Sequence, residues 1–347
     1  VDARLVIPRY ANGQKQGAPK LHRISSSLTV PMGGRPEGAH LFSTEVDGVP
    51  VYLIYNDQHF GNRARVYGFN DDPQRFLYFS RAVLAALQTL DWVPDVIHAN
   101  DWHTAVIPTW LSVYGKDVDF YKQIASLFTI HNVAYQGIVG RLLLNYGQMN
   151  GVPHLSVEPP GKLNWVAQGI VNADVVSTVS PTYAQEIAKS DADAFGSLLR
   201  AKSEDFFGIL SGIDTRLWNP AEDTALAQTF DSDSMALRSV NKTALQRELH
   251  LPAERKVPVL AMVSRLDPYK GLEVMAEALD AVLAERDCQF ILLGSGEEAL
   301  AQPFLTLQEQ YPHNVRALLR FDDRLARRVY GGADILVVPS ERESVSL

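Results

Sequence analysis

Polar side chains able to do chemistry stand where apolar runs end. Val259-Leu260-Ala261-Met262-Val263 gives way to Ser264-Arg265-Leu266-Asp267-Pro268-Tyr269-Lys270-Gly271. Arg265 and Lys270 bracket this turn and could clamp a diphosphate, Arg through paired hydrogen bonds and Lys as a mobile point charge. They would then stabilise the negative charge that grows on a departing phosphoryl group. The plainer alternative is two solvated cations on a loop. The next run, 289–293, ends in Gly294-Ser295-Gly296, whose amides could approach an anion or simply form a tight turn into a helix. It is not a Gly-x-Gly-x-x-Gly dinucleotide fingerprint, because Ala299 takes the third glycine's place.

The first half of the chain repeats the pattern. Asp95-Val96-Ile97-His98 runs into Ala99-Asn100-Asp101-Trp102-His103. Asp101 could accept from sugar hydroxyls or cap a helix, and Trp102 could stack on a sugar face. His98, Asp101 and His103 invite a metal reading. His98 lies inside the strand, however, and neither a cysteine nor a second carboxylate stands nearby, so no metal is expected. The run 124–130 ends in His131-Asn132, with Tyr135, Gln136 and Gly137 just beyond. The His131 imidazole could move a proton or bond a sugar hydroxyl, or it could be a packing histidine satisfied by backbone. Glu341 and Glu343 follow the final apolar run, where a carboxylate could hold sugar hydroxyls or stand as an ordinary loop glutamate. The absence of Gly-x-Ser-x-Gly and of Gly-x-x-x-x-Gly-Lys-[Ser/Thr] removes the simplest hydrolase and nucleoside-triphosphatase readings.

These groups need strands to deliver them. Val51–Tyr55 reads as a strand by β-propensity. Gln74–Leu90 carries Phe76, Phe79, Val83, Leu84 and Leu87 on a helical face. Strands are expected at 94–98, 124–130 and 174–179, the last followed by Ser180-Pro181, a helix cap with proline at the first helical position. Residues 140–161, with three prolines, read as a segment wrapping the surface or covering a cleft. The second half alternates strands (257–263, 289–293, 315–319, 334–338) with helices (272–283, 297–311, 324–330), the signature of right-handed crossovers and a parallel sheet. Gly and Trp218-Asn219-Pro220 punctuation places a domain boundary at 213/214, between domains 1–213 and 214–347.

Composition sets outer bounds. The 347 residues exceed what one α/β core needs, so two domains are expected. A net charge of -8 argues against nonspecific binding to nucleic acid or an anionic membrane, and no apolar run approaches the roughly twenty residues that span a bilayer. The single Cys288 makes an internal disulfide impossible and fits a cytoplasm-like compartment.

Taken in order, the motifs resemble those of the bacterial glycogen synthases and plant starch synthases. The matching pieces are Arg4–Tyr10, Val66-Tyr67-Gly68, Asp72 with Arg75-Phe76 and Phe79–Ala82, Pro94–Thr104, and Thr129–Gly137. They continue through Asn164-Trp165, Thr178–Ala184, Gly208–Asp214, Trp218-Asn219-Pro220, Asn241-Lys242, Val263–Leu266 and Lys270-Gly271. The series spans the whole chain. The resemblance implies an α/β fold of two Rossmann-like domains facing a cleft, the GT-B type. It implies retaining transfer of glucose from a nucleoside diphosphate sugar, most often ADP-glucose, to the non-reducing 4-OH of an α-1,4-glucan. No metal or other cofactor is implied. By motif, Arg265 and Lys270 would hold the donor diphosphate, with Gly294, Ser295 and Gly296 on the donor side. His131 would lie at the transferred sugar, Asp101, Trp102 and Asn132 on the acceptor side, and Glu343 on the donor sugar. A plant source would imply a plastid.

Two departures qualify the resemblance. The family's Lys-x-Gly-Gly-Leu loop belongs before the strand at Leu5 and is not among these residues, so both domains are expected to be incomplete. Where the family has Glu-Pro-Cys-Gly, this chain has Glu343-Ser344-Val345-Ser346, and serine tolerates positive φ poorly. Weak or absent synthase activity is therefore expected of the chain as it stands. Two other readings are a related glycosyltransferase acting on a small acceptor and a noncatalytic glucan-binding protein.

Overall fold

The computed structural model describes residues 1–10, 19–63, 66–190 and 195–340. The chain divides into two compact units, Val1–Ser211 and Gly212–Leu347.

The first unit holds β1 (Leu5–Pro8), β2 (His22–Val30), β3 (Glu37–Val46), β4 (Val49–Tyr55), α1 (Asp72–Thr89), β5 (Val96–Asn100), α2 (Asp101–Thr104) and α3 (Val106–Val113). It continues with β6 (Ala125–Ile130), β7 (Ile138–Gly140), α4 (Leu143–Tyr146), β8 (Lys162–Asn164), α5 (Trp165–Asn172), β9 (Val175–Thr178), α6 (Pro181–Lys189), α7 (Phe195–Ala201) and β10 (Phe206–Gly208). One sheet, in the order β10-β9-β6-β5, is wholly parallel. Phe128 and Ile130 of β6 are completely buried in the unit's core, as expected of a strand covered on both faces. Parallel ladders bring the carboxyl ends of β5 and β6 side by side, which sets Asp101 next to His131.

A second sheet, β1-β4-β3-β2, is mixed, with only β1 and β4 parallel. β2 pairs with β3, and β3 with β4, antiparallel. Its polar, serine-rich β2 and the register shifts between Arg23 and Leu28 hide the strand from a reading based on hydrophobic runs. Residues 140–161 also depart from a surface wrap. They contain α4 and bury Leu143, Leu144, Met149 and Val152, and β7 and β8 at their ends form an antiparallel pair.

Ser180 caps α6 as its position predicts, its side chain accepting from the Tyr183 N–H at 3.2 Å, with Pro181 first in the helix. Such a cap contributes about 1 kcal/mol.

The second unit alternates α8 (Arg238–Glu248), β11 (Val259–Val263), α9 (Leu272–Glu285), β12 (Gln289–Leu293), α10 (Glu298–Gln310), β13 (Val315–Leu318), α11 (Asp323–Gly332) and β14 (Ile335–Leu336). All its pairings are parallel, in the order β13-β12-β11-β14. Period-two geometry explains its two cores. Phe290 and Leu292 face α9 and α10, packing with Leu279 and Phe304, whereas Ile291 and Leu293 pack with Leu245 of α8 and Val329 of α11. The strand order reverses between β11 and β14. Loops after the carboxyl ends of strands at such a switch point are where open α/β sheets bind ligands.

Candidate active site

In the second unit the loops after β11 and β12 are locked together. Leu266, 3% exposed, anchors the first loop in the core. Its N–H donates to the Ser295 carbonyl at 3.0 Å, and its own carbonyl accepts from Glu297 N–H at 2.9 Å. Arg265 beside it is exposed, and Lys270 is half-buried at the end of a short turn whose first amide, Tyr269 N–H, is capped by Asp267 at 3.1 Å. Both cations therefore project from a turn that is fixed at its centre.

Gly294, Ser295 and Gly296 show why this motif is glycine-rich. A Cβ on Gly294 would lie 2.0 Å from the Ser264 carbonyl oxygen, and one on Gly296 would lie 2.2 Å from the Leu266 carbonyl oxygen. The Gly294 N–H already donates to the Leu318 carbonyl at 3.1 Å. The expectation that this amide faces an anion gives way to a structural role, in which the glycines let two loops touch backbone to backbone. Gly271 does likewise. At φ 68° it takes the left-handed conformation, and a Cβ there would meet the Pro339 carbonyl oxygen at 2.1 Å. The loops following β11 and β14 are thus in contact at the switch point. Glu341 and Glu343 lie outside the described residues.

In the first unit, Asp101 opens α2 at φ 55° and does not cap that helix. Its carboxylate instead accepts from the backbone N–H of His131 at 2.8 Å and from that of Asn132. The expectation of a helix cap is corrected on this point. The acid spans two loops and fixes the backbone of the second. Burial raises its pKa, and the two N–H bonds oppose that shift. Asn100, to which the sequence reading gave no role, bonds the His131 ring, its Oδ1 accepting from Nε2 at 3.0 Å. The exposed imidazole is thereby oriented with Nδ1 left for other partners. Asn132 turns its side chain inward to accept from Ala134 N–H at 2.9 Å, and Tyr183 Oη accepts from Val133 N–H at 3.2 Å.

Trp102 is half-buried beneath this loop. A Cβ on Gly137, which has φ 64°, would lie 2.7 Å from Trp102 Cβ, and Phe76 meets the indole edge-on at a centroid distance of 5.5 Å. The indole serves as a floor for the loop, and stacking on a sugar would use only the part left uncovered. His103 packs against Phe76 and Trp102, and burial pushes its pKa down to about 4. Below them, His98 Nε2 bonds Thr129 Oγ1 at 2.6 Å, and Thr129 bonds Ser177 Oγ at 2.7 Å, a polar chain across β5, β6 and β9. His98 has its pKa lowered by burial and by His131. Among the described residues no group of three or more His, Cys, Asp or Glu could hold a metal ion.

A further cluster went unassigned in the sequence. Arg75, fully buried on α1, donates from Nη1 to Asp72 at 2.5 Å, from Nε to the His59 carbonyl at 2.8 Å and from Nη2 to the Val66 carbonyl at 2.9 Å. Asp72 in turn accepts from Gly68 and Phe69 N–H. The Asp-x-x-Arg spacing of this i,i+3 pair is the signal that could have marked it as the organiser of residues 66–69.

Residues 1–201 match the family described as the starch synthase catalytic domain, and residues 257–347 match glycosyl transferases group 1. The chain is 40% identical to a glycogen synthase of Lacticaseibacillus casei over 356 aligned residues, covering 100% of this chain and 73% of that protein. It is 35% identical to a glycogen synthase of Thermotoga maritima, again over 100% of this chain and 73% of the relative. The chain belongs to the starch and glycogen synthase family of glycosyltransferases. The solved catalytic domain of Arabidopsis thaliana starch synthase IV, bound to ADP and acarbose, superposes with a TM-score of 0.89 at 30% identity, over 99% of this chain and 72% of that one. The family's two-domain α/β fold, the GT-B class, is the fold of this chain. No helix among the described residues is long and apolar enough to cross a membrane.

Proposed function

We propose that this chain transfers glucose from ADP-glucose to the non-reducing 4-OH of an α-1,4-glucan, with retention at the anomeric carbon. The observation that carries the reading is the similarity, over 99% of the chain, to a starch synthase catalytic domain that holds ADP, the nucleotide such a reaction would release. Arg265 and Lys270 take the donor diphosphate, and their charge offsets the negative charge that develops as the anomeric carbon–oxygen bond to the diphosphate breaks. The acceptor 4-OH then forms its bond to the same face of that carbon, and its proton passes to the departing diphosphate oxygen. In this scheme no side chain forms a covalent bond to the sugar, and neither a metal nor an organic cofactor takes part.

On the sugar side, His131 meets the transferred glucosyl group, held there by Asn100 through its ring and by Asp101 through its backbone. Asp101 therefore acts by positioning. Trp102 and Asn132 support the acceptor side through the same loop, and Glu343 binds the donor sugar.

The test is incubation with ADP-glucose and glycogen, following ADP release and glucose incorporation above an Arg265→Ala/Lys270→Ala control. Incorporation into the polymer supports the proposal. Release of free glucose alone, or transfer only to a small acceptor, contradicts it.

A further inference from the structure

A pocket of about 530 Å³ lies in the first unit between β2, α1 and α3, and none of the residues of the 131–137 loop or of Asn100–His103 lines it. At its wall sits Arg81 of α1, 7% exposed. No side chain lining the pocket is an Asp, Glu, Lys or His, so Arg81 is its one ionisable cation and has no counter-charge there. Its Nε is buried without a hydrogen-bond partner. The guanidinium carbon lies 4.8 Å from the centre of the Trp110 ring, an arrangement that favours a cation but offers its N–H groups no acceptor.

Arg75, six residues earlier on the same helix, shows what a satisfied buried guanidinium looks like: a carboxylate and two carbonyls take its protons. Arg327 and Arg328 also have an Nε without a hydrogen bond, yet each pairs with a carboxylate. Among the described residues Arg81 has no such pairing. A buried charge without hydrogen bonds or a partner is costly, and a protein recovers that cost when an anion binds.

We propose that this pocket binds a small metabolite through an oxyanion group, a phosphate monoester or a carboxylate, held by the Arg81 guanidinium. The planar fork of Arg matches either group through paired hydrogen bonds. Ser27 and Thr29 of β2 and Gln88 of α1 line the pocket as exposed polar residues and can take the remaining hydroxyl or oxygen atoms of the ligand. The volume suits a small organic body as well as the anionic group. Burial lowers the pKa of Arg81, but a guanidinium remains charged at neutral pH.

The experiment uses the Arg265→Ala/Lys270→Ala protein, which lacks the proposed donor phosphate contacts, and titrates inorganic phosphate and, separately, acetate by calorimetry. Saturable binding of either ion at one site is expected, the tighter one identifying the oxyanion. Adding Ala85→Glu places a carboxylate four residues from Arg81 on the same helical face, where it competes for the guanidinium. That variant should bind the ion at least about tenfold more weakly and melt higher than its parent in the absence of ligand. Arg81→Gln should lose binding as well. No saturable binding of either ion, or undiminished binding by the Ala85→Glu protein, overturns the proposal.

Discussion

Asp101 carries the most testable residue-level role. Its carboxylate holds the backbone of His131 and Asn132, so its removal displaces the imidazole. Asp101→Ala should lower glucosyl transfer about 100-fold, the size of effect expected from misplacing a reacting group by an ångström. Asp101→Asn, which keeps an acceptor oxygen, should fall less, and ADP affinity measured by calorimetry should stay the same in both. An equal loss of ADP affinity would argue against positioning of the sugar side alone. His103 gives a pH prediction. Its imidazole titrates at about 4 in the folded chain but near 6.5 when unfolded. As pH falls from 6.5 to 4, only the unfolded chain takes up this proton, so stability declines through that window, by on the order of 3 kcal/mol at its lower end. Above 6.5 the group contributes no pH dependence. Urea unfolding at pH 7 and pH 4.5 should show a smaller acid loss for His103→Phe than for the parent; equal losses would refute the assignment. The sequence presented Asp101 and His131 as separate motifs thirty residues apart. Their bond follows from the parallel pairing of β5 and β6, which local residue types do not encode.

At the scale of elements, loop contact is what glycine supplies. Gly294→Ala would press a methyl group against the Ser264 carbonyl and push the Arg265 turn outward. The expected outcome is a roughly tenfold or greater weakening of ADP binding, from lost bidentate geometry, with glucan binding unaffected. Unchanged ADP affinity would mean that the turn does not set the Arg265 position. Strands with continuous apolar character, such as β6, β11 and β12, were legible because burial on both faces leaves an unmistakable run. β2 and β3 were not, because their antiparallel sheet alternates exposed and buried positions and its register shifts break the pattern. The Gly294-Ser295-Gly296 motif was visible but ambiguous. Amides facing an anion and amides facing a neighbouring loop leave the same residues in the sequence.

For the whole molecule, the two-unit α/β architecture was legible from the alternation of strands and helices, and the ordered motifs carried the family. The net charge of -8 leaves any attraction to substrate phosphates to local cations, in the proposed scheme Arg265 and Lys270. In the proposed function these two residues serve a glucosyl transfer that lengthens an α-1,4-glucan. The most direct measurement incubates the chain with ADP-glucose labelled in the sugar and glycogen, then digests the polymer with β-amylase. Label should enter the polymer and leave it as maltose under β-amylase, and none should be incorporated by the Arg265→Ala/Lys270→Ala protein. Label found only in free glucose or a small glycoside, or equal incorporation by the double variant, would contradict the proposed function.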